Sequence, residues 1–250
     1  MNNKYFSKRR TIREYSAQEV PTDLIVGMLN DAMRAPTTGN MQLYSAILTS
    51  DNAIKRELIP LHFNQPQIMS APVVVTICAD FNRFVKWCEN SNANPGYDNL
   101  QSFITAALDA TIFAQQFNTI AEMSGLGCCY LGTTTYNAKE IANVLNLPKR
   151  VIPLITLTVG YPKNESGQVE RLPVEGIVHL EKYDDYTPER INNIYCEKEQ
   201  LDINQKYVEE NNLETLAQVF TNVRYTKANN ELFSEKFFDF IKEQGFKIPF

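Results

Sequence analysis

The chain has 250 residues, 44% of them hydrophobic, with 12 prolines and only 10 glycines, a composition that excludes disordered, collagen-like and linker-rich architectures. Its 24 Lys and Arg against 29 Asp and Glu give a net charge of −5. That disfavours a general grip on nucleic acid or an acidic membrane surface, while leaving room for a local basic site. Five cysteines without CxxC or paired Cys/His spacing point away from a metal site and toward reduced thiols in a cytoplasmic protein.

The length is enough for one large core without disulfide or metal staples. Residues 1–13 carry Lys4, Lys8, Arg9, Arg10 and Arg13 with no apolar segment, so they read as neither a secretion signal nor a membrane span. Pro21-Thr22-Asp23 opens a helix whose apolar residues Leu24, Ile25, Met28, Leu29 and Ala32 recur at helical spacing until Pro36 ends it. A short apolar run, Tyr44 to Thr49, and a helical stretch from Asn52 to Ile59 follow. The β-branched run from Pro72 to Ala79 predicts a strand covered on both faces.

From Asn99 to Met123 a 3.6-residue period holds for about seven turns. Asp109, Gln115, Gln116 and Asn118 interrupt it, marking a helix of a soluble protein rather than a membrane span. Gly125 and Gly127 stop that helix and open a short strand through Tyr130. A helix from Ala138 to Leu145 and a second buried strand, Val151 to Val159, complete an expected mixed central sheet flanked by helices. Beyond Tyr161-Pro162 come a polar loop and charged helical candidates at Pro188–Tyr207, Leu213–Phe220 and Leu232–Gln244. Residues 1–180 thus read as a core and 181–250 as a helical C-terminal extension of the same domain.

Only His62 and His179 are available for imidazole chemistry, and neither sits in a motif. His62 reads as an ordinary surface or partly buried residue. The motifs GxSxG, HExxH, GxxxxGKS and GxGxxG are all missing, which removes the usual support for hydrolase, zincin, P-loop and Rossmann readings.

Three clusters stand out. Arg9-Arg10-Thr11-Ile12-Arg13 places three guanidiniums and a hydroxyl within five residues, either an anion clamp or a solvated basic tail. Ala35-Pro36-Thr37-Thr38-Gly39-Asn40-Met41-Gln42 is a polar loop whose hydroxyls and amides can read the edge of a heterocycle, or simply end a helix. Gly125-Leu-Gly-Cys-Cys-Tyr-Leu-Gly132 offers close backbone approach to a ligand, or plain turn chemistry.

In this order the clusters resemble the nitroreductase family of FMN-dependent oxidoreductases over roughly Lys8 to Pro173. The likeness is to its NADPH-dependent, oxygen-insensitive nitroreductase and flavin reductase branch, through Cys78-Ala-Asp-Phe-Asn-Arg83, Arg171-Leu-Pro173 and Glu243-Gln-Gly-Phe246. The resemblance implies an α+β fold and a homodimer wrapped by the extension, with FMN at the interface and NADPH or NADH as co-substrate. The long apolar helix suits burial in such an interface.

By the same resemblance Arg9 and Thr11 would hold the FMN phosphate, with Arg171 as a further partner. Arg13 would reach the ribityl chain or the pyrimidine edge and tune the flavin. Thr37, Thr38 and Asn40 would come from the neighbouring subunit, with Gln42 in the same loop. Gln65 would bond the flavin, and Tyr130 with Gly132 would line the ring. No protein side chain is expected to be catalytic, because the cofactor carries the chemistry.

Thr11 and Thr37 stand where the family has Ser but keep the hydroxyl, and Val169 replaces a basic residue. Lys206, Arg224 and Lys227 are the candidates for an NADPH 2′-phosphate. The implied activity is ping-pong hydride transfer from NAD(P)H to nitroaromatic, quinone or flavin acceptors. The alternatives are a flavin-binding storage or redox-sensing protein without robust turnover, and thiol chemistry at Cys128-Cys129, which adjacent pairing disfavours.

Overall fold

The computed structural model describes residues 4–164 and 166–248, in two compact units: the described residues up to 167 together with 233–248, and residues 168–232. The first unit is built on four strands, β1 (Tyr44–Thr49), β2 (Val73–Asp80), β3 (Gly127–Leu131) and β4 (Val151–Gly160), in the order β1-β2-β4-β3. Every pairing is antiparallel. This corrects the expected mixed sheet. The apolar run of β2 arises because helices cover both of its faces, leaving all eight residues buried, and that burial does not require a parallel neighbour.

The helices of this unit are α1 (Lys4–Lys8), α2 (Thr22–Ala32), α3 (Asn52–Leu61), α4 (Gln67–Ser70), α5 (Asn82–Asn90), α6 (Leu100–Met123) and α7 (Ala138–Val144). Alternate strand residues face opposite sides of a sheet, and the core divides accordingly. Val73, Val75, Ile77 and Cys128 pack with Ile25 and Met28 of α2 and with Phe113 and Phe117 of α6. Val74, Cys129 and Leu131 pack on the other side with Leu58, Ile68 and Ile141. Cys128 and Cys129 therefore point to opposite faces of β3, and burial pushes both thiols up. That is inert-cysteine behaviour, contrary to the thiol-chemistry alternative.

β3 is an edge strand, and residues 9–16 cover part of it. Ile12 N–H donates to Cys128 O at 3.1 Å, Ser16 N–H to Tyr161 O at 2.8 Å, and Lys163 N–H to Glu14 O at 3.0 Å. Gly127 is required by this cover, because a Cβ there would lie 2.5 Å from Cβ of Ile12. Its role is close packing of the chain's own residues, which the turn reading of that glycine missed.

The long helix α6 buries Phe103, Ala106, Ala110, Phe113, Ala114 and Phe117. Leu100, Ile104, Leu108 and Ile112, each four residues after the last, remain 37 to 58% exposed in the single chain. Helix α11 (Lys227–Glu243) begins in the second unit and ends in the first, where Phe240, Ile241 and Phe246 join Phe81, Phe103 and Ile152 in a further part of the core.

The second unit holds α8 (Pro188–Gln200), α9 (Asp202–Glu210), α10 (Leu216–Val219) and a π-turn at Phe220–Arg224. The single helix expected over Pro188–Tyr207 is broken at Leu201, whose backbone is extended (φ −64°, ψ 131°). Asn204 Nδ2 caps the break by donating to Lys198 O at 2.7 Å. Among the described residues no helix is long and apolar enough to cross a membrane.

Candidate functional site

The segment pinned beside β3 carries the basic cluster. Toward the start of β3, Lys8, Arg9, Arg10 and Lys163 line a cavity of about 730 Å³ together with Tyr5, Glu122 and Gly125 to Gly127. Beside the middle of the strand, the positive charge of Arg13 partly offsets the burial that pushes the Cys129 thiol up. Arg9 and Arg13 are thus placed along one edge strand, four residues apart, which in extended chain spans roughly 13 Å.

Arg9 is only a quarter exposed and already paired. Its Nη2 pairs with Glu122 Oε1 at 3.1 Å, and its Nη1 reaches Thr11 Oγ1 at 3.4 Å. Tyr5 donates to Glu122 Oε2 at 2.6 Å. Arg10 Nη1 donates to Ser166 O at 3.0 Å, and Ser166 Oγ to Thr11 O at 2.8 Å. The basic cluster is therefore a built part of the fold rather than a solvated tail, with a nearly buried carboxylate already in contact with its first guanidinium.

Gln65 belongs to a second group. Its Nε2 donates to Thr133 Oγ1 at 3.3 Å, its Oε1 accepts from Gln67 Nε2 at 2.8 Å, and His62 Nδ1 lies 2.8 Å from the same threonine hydroxyl. Gln67, like Arg13, is among the groups that favour the Cys129 thiolate against the effect of burial. Gly132, next to Thr133, is exposed, and a Cβ there would meet nothing. Tyr130 points elsewhere: it packs against the α6 side of the core and donates to Gln115 Oε1 at 3.4 Å.

The loop after α2 forms a third group, organised by a residue that the sequence reading treated only as an interruption. Asp109 on α6 is 2% exposed. It accepts from Thr37 Oγ1 (2.5 Å), Thr38 N–H (3.0 Å), Thr38 Oγ1 (3.1 Å) and Leu43 N–H (3.3 Å). With their protons spent on Asp109, the two threonine hydroxyls cannot at the same time donate to an anion. Asn40 is the loop's exposed amide, and Gln42 Nε2 donates to its carbonyl groups. Gly39, Asn40 and Gln42 all have left-handed φ (55°, 57° and 53°). Arg83 steadies the same loop by donating to Gln42 O and Tyr44 O.

Arg171 lies in the second unit, where its Nη1 donates to Val169 O and Glu170 O at 3.2 and 2.8 Å. Of the 2′-phosphate candidates, Lys206 pairs with Glu210 and Lys227 with Glu231, while Arg224 stacks on Tyr207 at 4.2 Å.

His62 corrects the expectation of a surface or partly buried residue: it is wholly buried at the end of α3. Burial lowers its pKa from 6.5 to about 4. The unfolded chain then binds this proton first, so stability is lost as pH falls from 6.5 and the loss levels off below 4. The full loss should amount to about 3 kcal/mol, of which about 2 kcal/mol falls between pH 7 and pH 4.5, and urea denaturation of wild type and His62→Gln at those two values should show this extra loss in the wild type alone. Equal pH dependence in both proteins would contradict the assignment.

The missed residues had faint signals. Asp109 is a charge placed on the buried stripe of α6, and Thr133 directly follows a glycine of the third cluster. Glu122 and Gln67 had none beyond their polarity.

The sheet order, the long helix and the basic cleft beside an edge strand together define a nitroreductase-like α+β fold. The nitroreductase family model matches residues 6–161, and this chain belongs to that family. It is 34% identical over 176 residues to an FMN reductase (NADPH) of Bacillus subtilis, covering 70% of this chain and 71% of that one. It is 29% identical over 174 residues to an oxygen-insensitive NADPH nitroreductase of Salmonella typhimurium, covering 70% and 71% respectively. A crystal structure of a Bacteroides fragilis protein, 52% identical, superposes with a TM-score of 0.96 over 97% of this chain and 99% of that one.

Proposed function

We propose that the chain is an FMN-dependent NAD(P)H oxidoreductase that acts as a homodimer on small-molecule acceptors such as nitroaromatics, quinones or free flavins. The observation that carries this reading is the row of Arg9, Thr11 and Arg13 pinned beside β3 by the Ile12–Cys128 hydrogen bond. The relatives named for FMN and NADPH support it.

FMN presents a phosphate dianion, a polar pyrimidine edge and a flat ring, and the residues suit each. Arg9 and Thr11, beside a cavity with a basic rim, fit the phosphate. Arg13 and the Gln65 amide fit the polar edge, and the open space at Gly132 leaves a surface on which a ring can lie. Bound there, FMN supplies an atom that accepts hydride from NAD(P)H and passes it to the acceptor, so that the two substrates take turns in one pocket.

The chain's own residues bind and orient. Arg9 exchanges part of its contact with Glu122 for the phosphate, and Arg13 keeps positive charge where electron density accumulates. Tyr130 lines the ring through its backbone beside Gly132. The loop of Thr37, Thr38, Asn40 and Gln42 serves the partner subunit's cofactor. In it Asp109 fixes the threonines, and Asn40 is the side chain that reaches out. The exposed stripe of Leu100, Ile104, Leu108 and Ile112 supports a second copy as the dimer partner. Residues 181–250 wrap that partner.

The test is a visible spectrum of the purified protein, with FMN, NADPH and NADH titrated separately and menadione or nitrofurazone as acceptor. A yellow dimer whose band bleaches with NADPH and returns with acceptor is expected. A colourless monomer that takes up no FMN would end this reading. Flavin binding without turnover would favour a storage or sensing protein instead.

A further inference from the structure

His62 takes no part in the proposal above, yet it sits one tight turn before Gln65 with its ring wholly buried and its Nε2 without a partner. The bonds around it have a direction. The Thr133 hydroxyl accepts the Gln65 N–H and has one proton to give; the arrangement that fixes the amide is the one in which that proton goes to His62 Nδ1 at 2.8 Å. The neutral ring then carries its own proton on Nε2. Gln67, donating to Gln65 Oε1, agrees with the same polarity from the other end of the row.

A second observation points to the same turn. Phe63 and Asn64, between His62 and Gln65, both have left-handed backbones, with φ of 54° and 56°. A bulky residue seldom adopts such values, and strain of this kind persists where the surroundings over-determine it. Here the surroundings include the His62 anchor and the ring contacts of Phe63 with Tyr136 and Phe233.

We propose that His62 is a positioning residue which, acting as an acceptor through Thr133, holds the Gln65 amide with its nitrogen toward the end of β3, so that the bound ring meets a hydrogen-bond donor there. The proposal rests on the FMN reading above. One N–H of Gln65 is spent on Thr133 and the other is left for a ring carbonyl or imine nitrogen. Without an acceptor at position 62 the threonine hydroxyl can turn, and the amide loses the preference that presents its N–H.

The experiment is FMN titration into wild type, His62→Leu, Thr133→Val and Thr133→Ser, followed by flavin absorbance, with the midpoint potential of each loaded protein. His62→Leu and Thr133→Val are expected to raise the FMN Kd about fivefold, the loss of one oriented neutral hydrogen bond, and to shift the long-wavelength flavin band. A bond made to one redox state only moves the two-electron potential by about 20 mV, the equivalent of that fivefold change. Thr133→Ser, which keeps the hydroxyl, is expected to stay within about twofold of wild type.

Thr133→Val is nearly isosteric and leaves the buried imidazole in place, so it decides the matter even where His62→Leu fails to fold. Unchanged Kd, spectrum and potential in Thr133→Val would overturn the proposal while the FMN reading stands. Wild type that binds no FMN would overturn both.

Discussion

Replacing Asp109 with Ala should lower the free energy of unfolding by about 2–5 kcal/mol, the largest stability effect expected of any single side chain in the site. The carboxylate is the common acceptor of two backbone N–H groups and two hydroxyls. The hydroxyls of Thr37 and Thr38 can rotate to other partners, but the N–H groups of Thr38 and Leu43 are fixed by the chain, and an unsatisfied buried donor costs about 1–3 kcal/mol. Thr37→Val removes one of the four bonds and should cost about 1 kcal/mol. Urea denaturation monitored by circular dichroism would measure both. A change below about 1 kcal/mol in Asp109→Ala would mean that the loop is held by Arg83 and the left-handed turn residues without the carboxylate. Limited proteolysis within residues 37–43 should show whether the loss is confined to that loop.

Replacing Arg13 with Ala should weaken FMN binding by about 10- to 100-fold and slow its reduction by NAD(P)H together. The basis is the loss of charge-assisted bonds worth about 1.5–3 kcal/mol. Arg13 is exposed in the free chain, and the Cys129 thiol is among the groups that feel its charge, so the substitution removes little packing. Arg13→Lys separates charge from shape. A point charge should recover much of the reduction rate, whereas the fork that bonds a polar edge in two directions is lost. Equilibrium dialysis for affinity and stopped-flow bleaching of the flavin band for reduction are the measurements. Full occupancy together with unchanged reduction in Arg13→Ala would remove Arg13 from its assigned role.

The elements most legible in the sequence were those with long, strong periodicity. Helix α6 and strands β2 and β4 fall within a residue or two of the expected bounds, and the apolar run at Tyr44–Thr49, read without a type, forms β1, because a sustained apolar pattern reports one buried face, or two, directly. Helix α5 was not foreseen. Its apolar residues Phe84, Val85, Trp87 and Cys88 fall within little more than one turn, too short a run to establish a period, and only Val85 and Cys88 are buried. The break at Leu201 was equally invisible, since the charged residues on either side suit a helix and only the Asn204 cap ends it.

The candidate site divides along the same line. Arg9, Thr11 and Arg13 could be singled out because a dense basic cluster is unusual in an acidic chain, and nothing distant is needed to see it. Their partners could not. Glu122 is 113 residues from Arg9, and Asp109 is about seventy from the loop it holds. His62 comes to bear on Gln65 through Thr133, a residue separated from them along the chain by three helices and two strands.

The sequence by itself determined an α+β chain with a dense local basic cluster, and its ordered clusters pointed to the family that the family model then matched. Composition, periodicity and motif order are properties of neighbouring residues and survive without a fold. The tertiary structure alone decided that the sheet is antiparallel, that Gly127 makes room for Ile12, that Thr37 and Thr38 are committed to Asp109, and that a buried neutral histidine stands behind Gln65. Each of these depends on groups brought together by chain closure. Their hydrogen bonds and desolvation act over a few ångströms in space, whatever the separation along the chain.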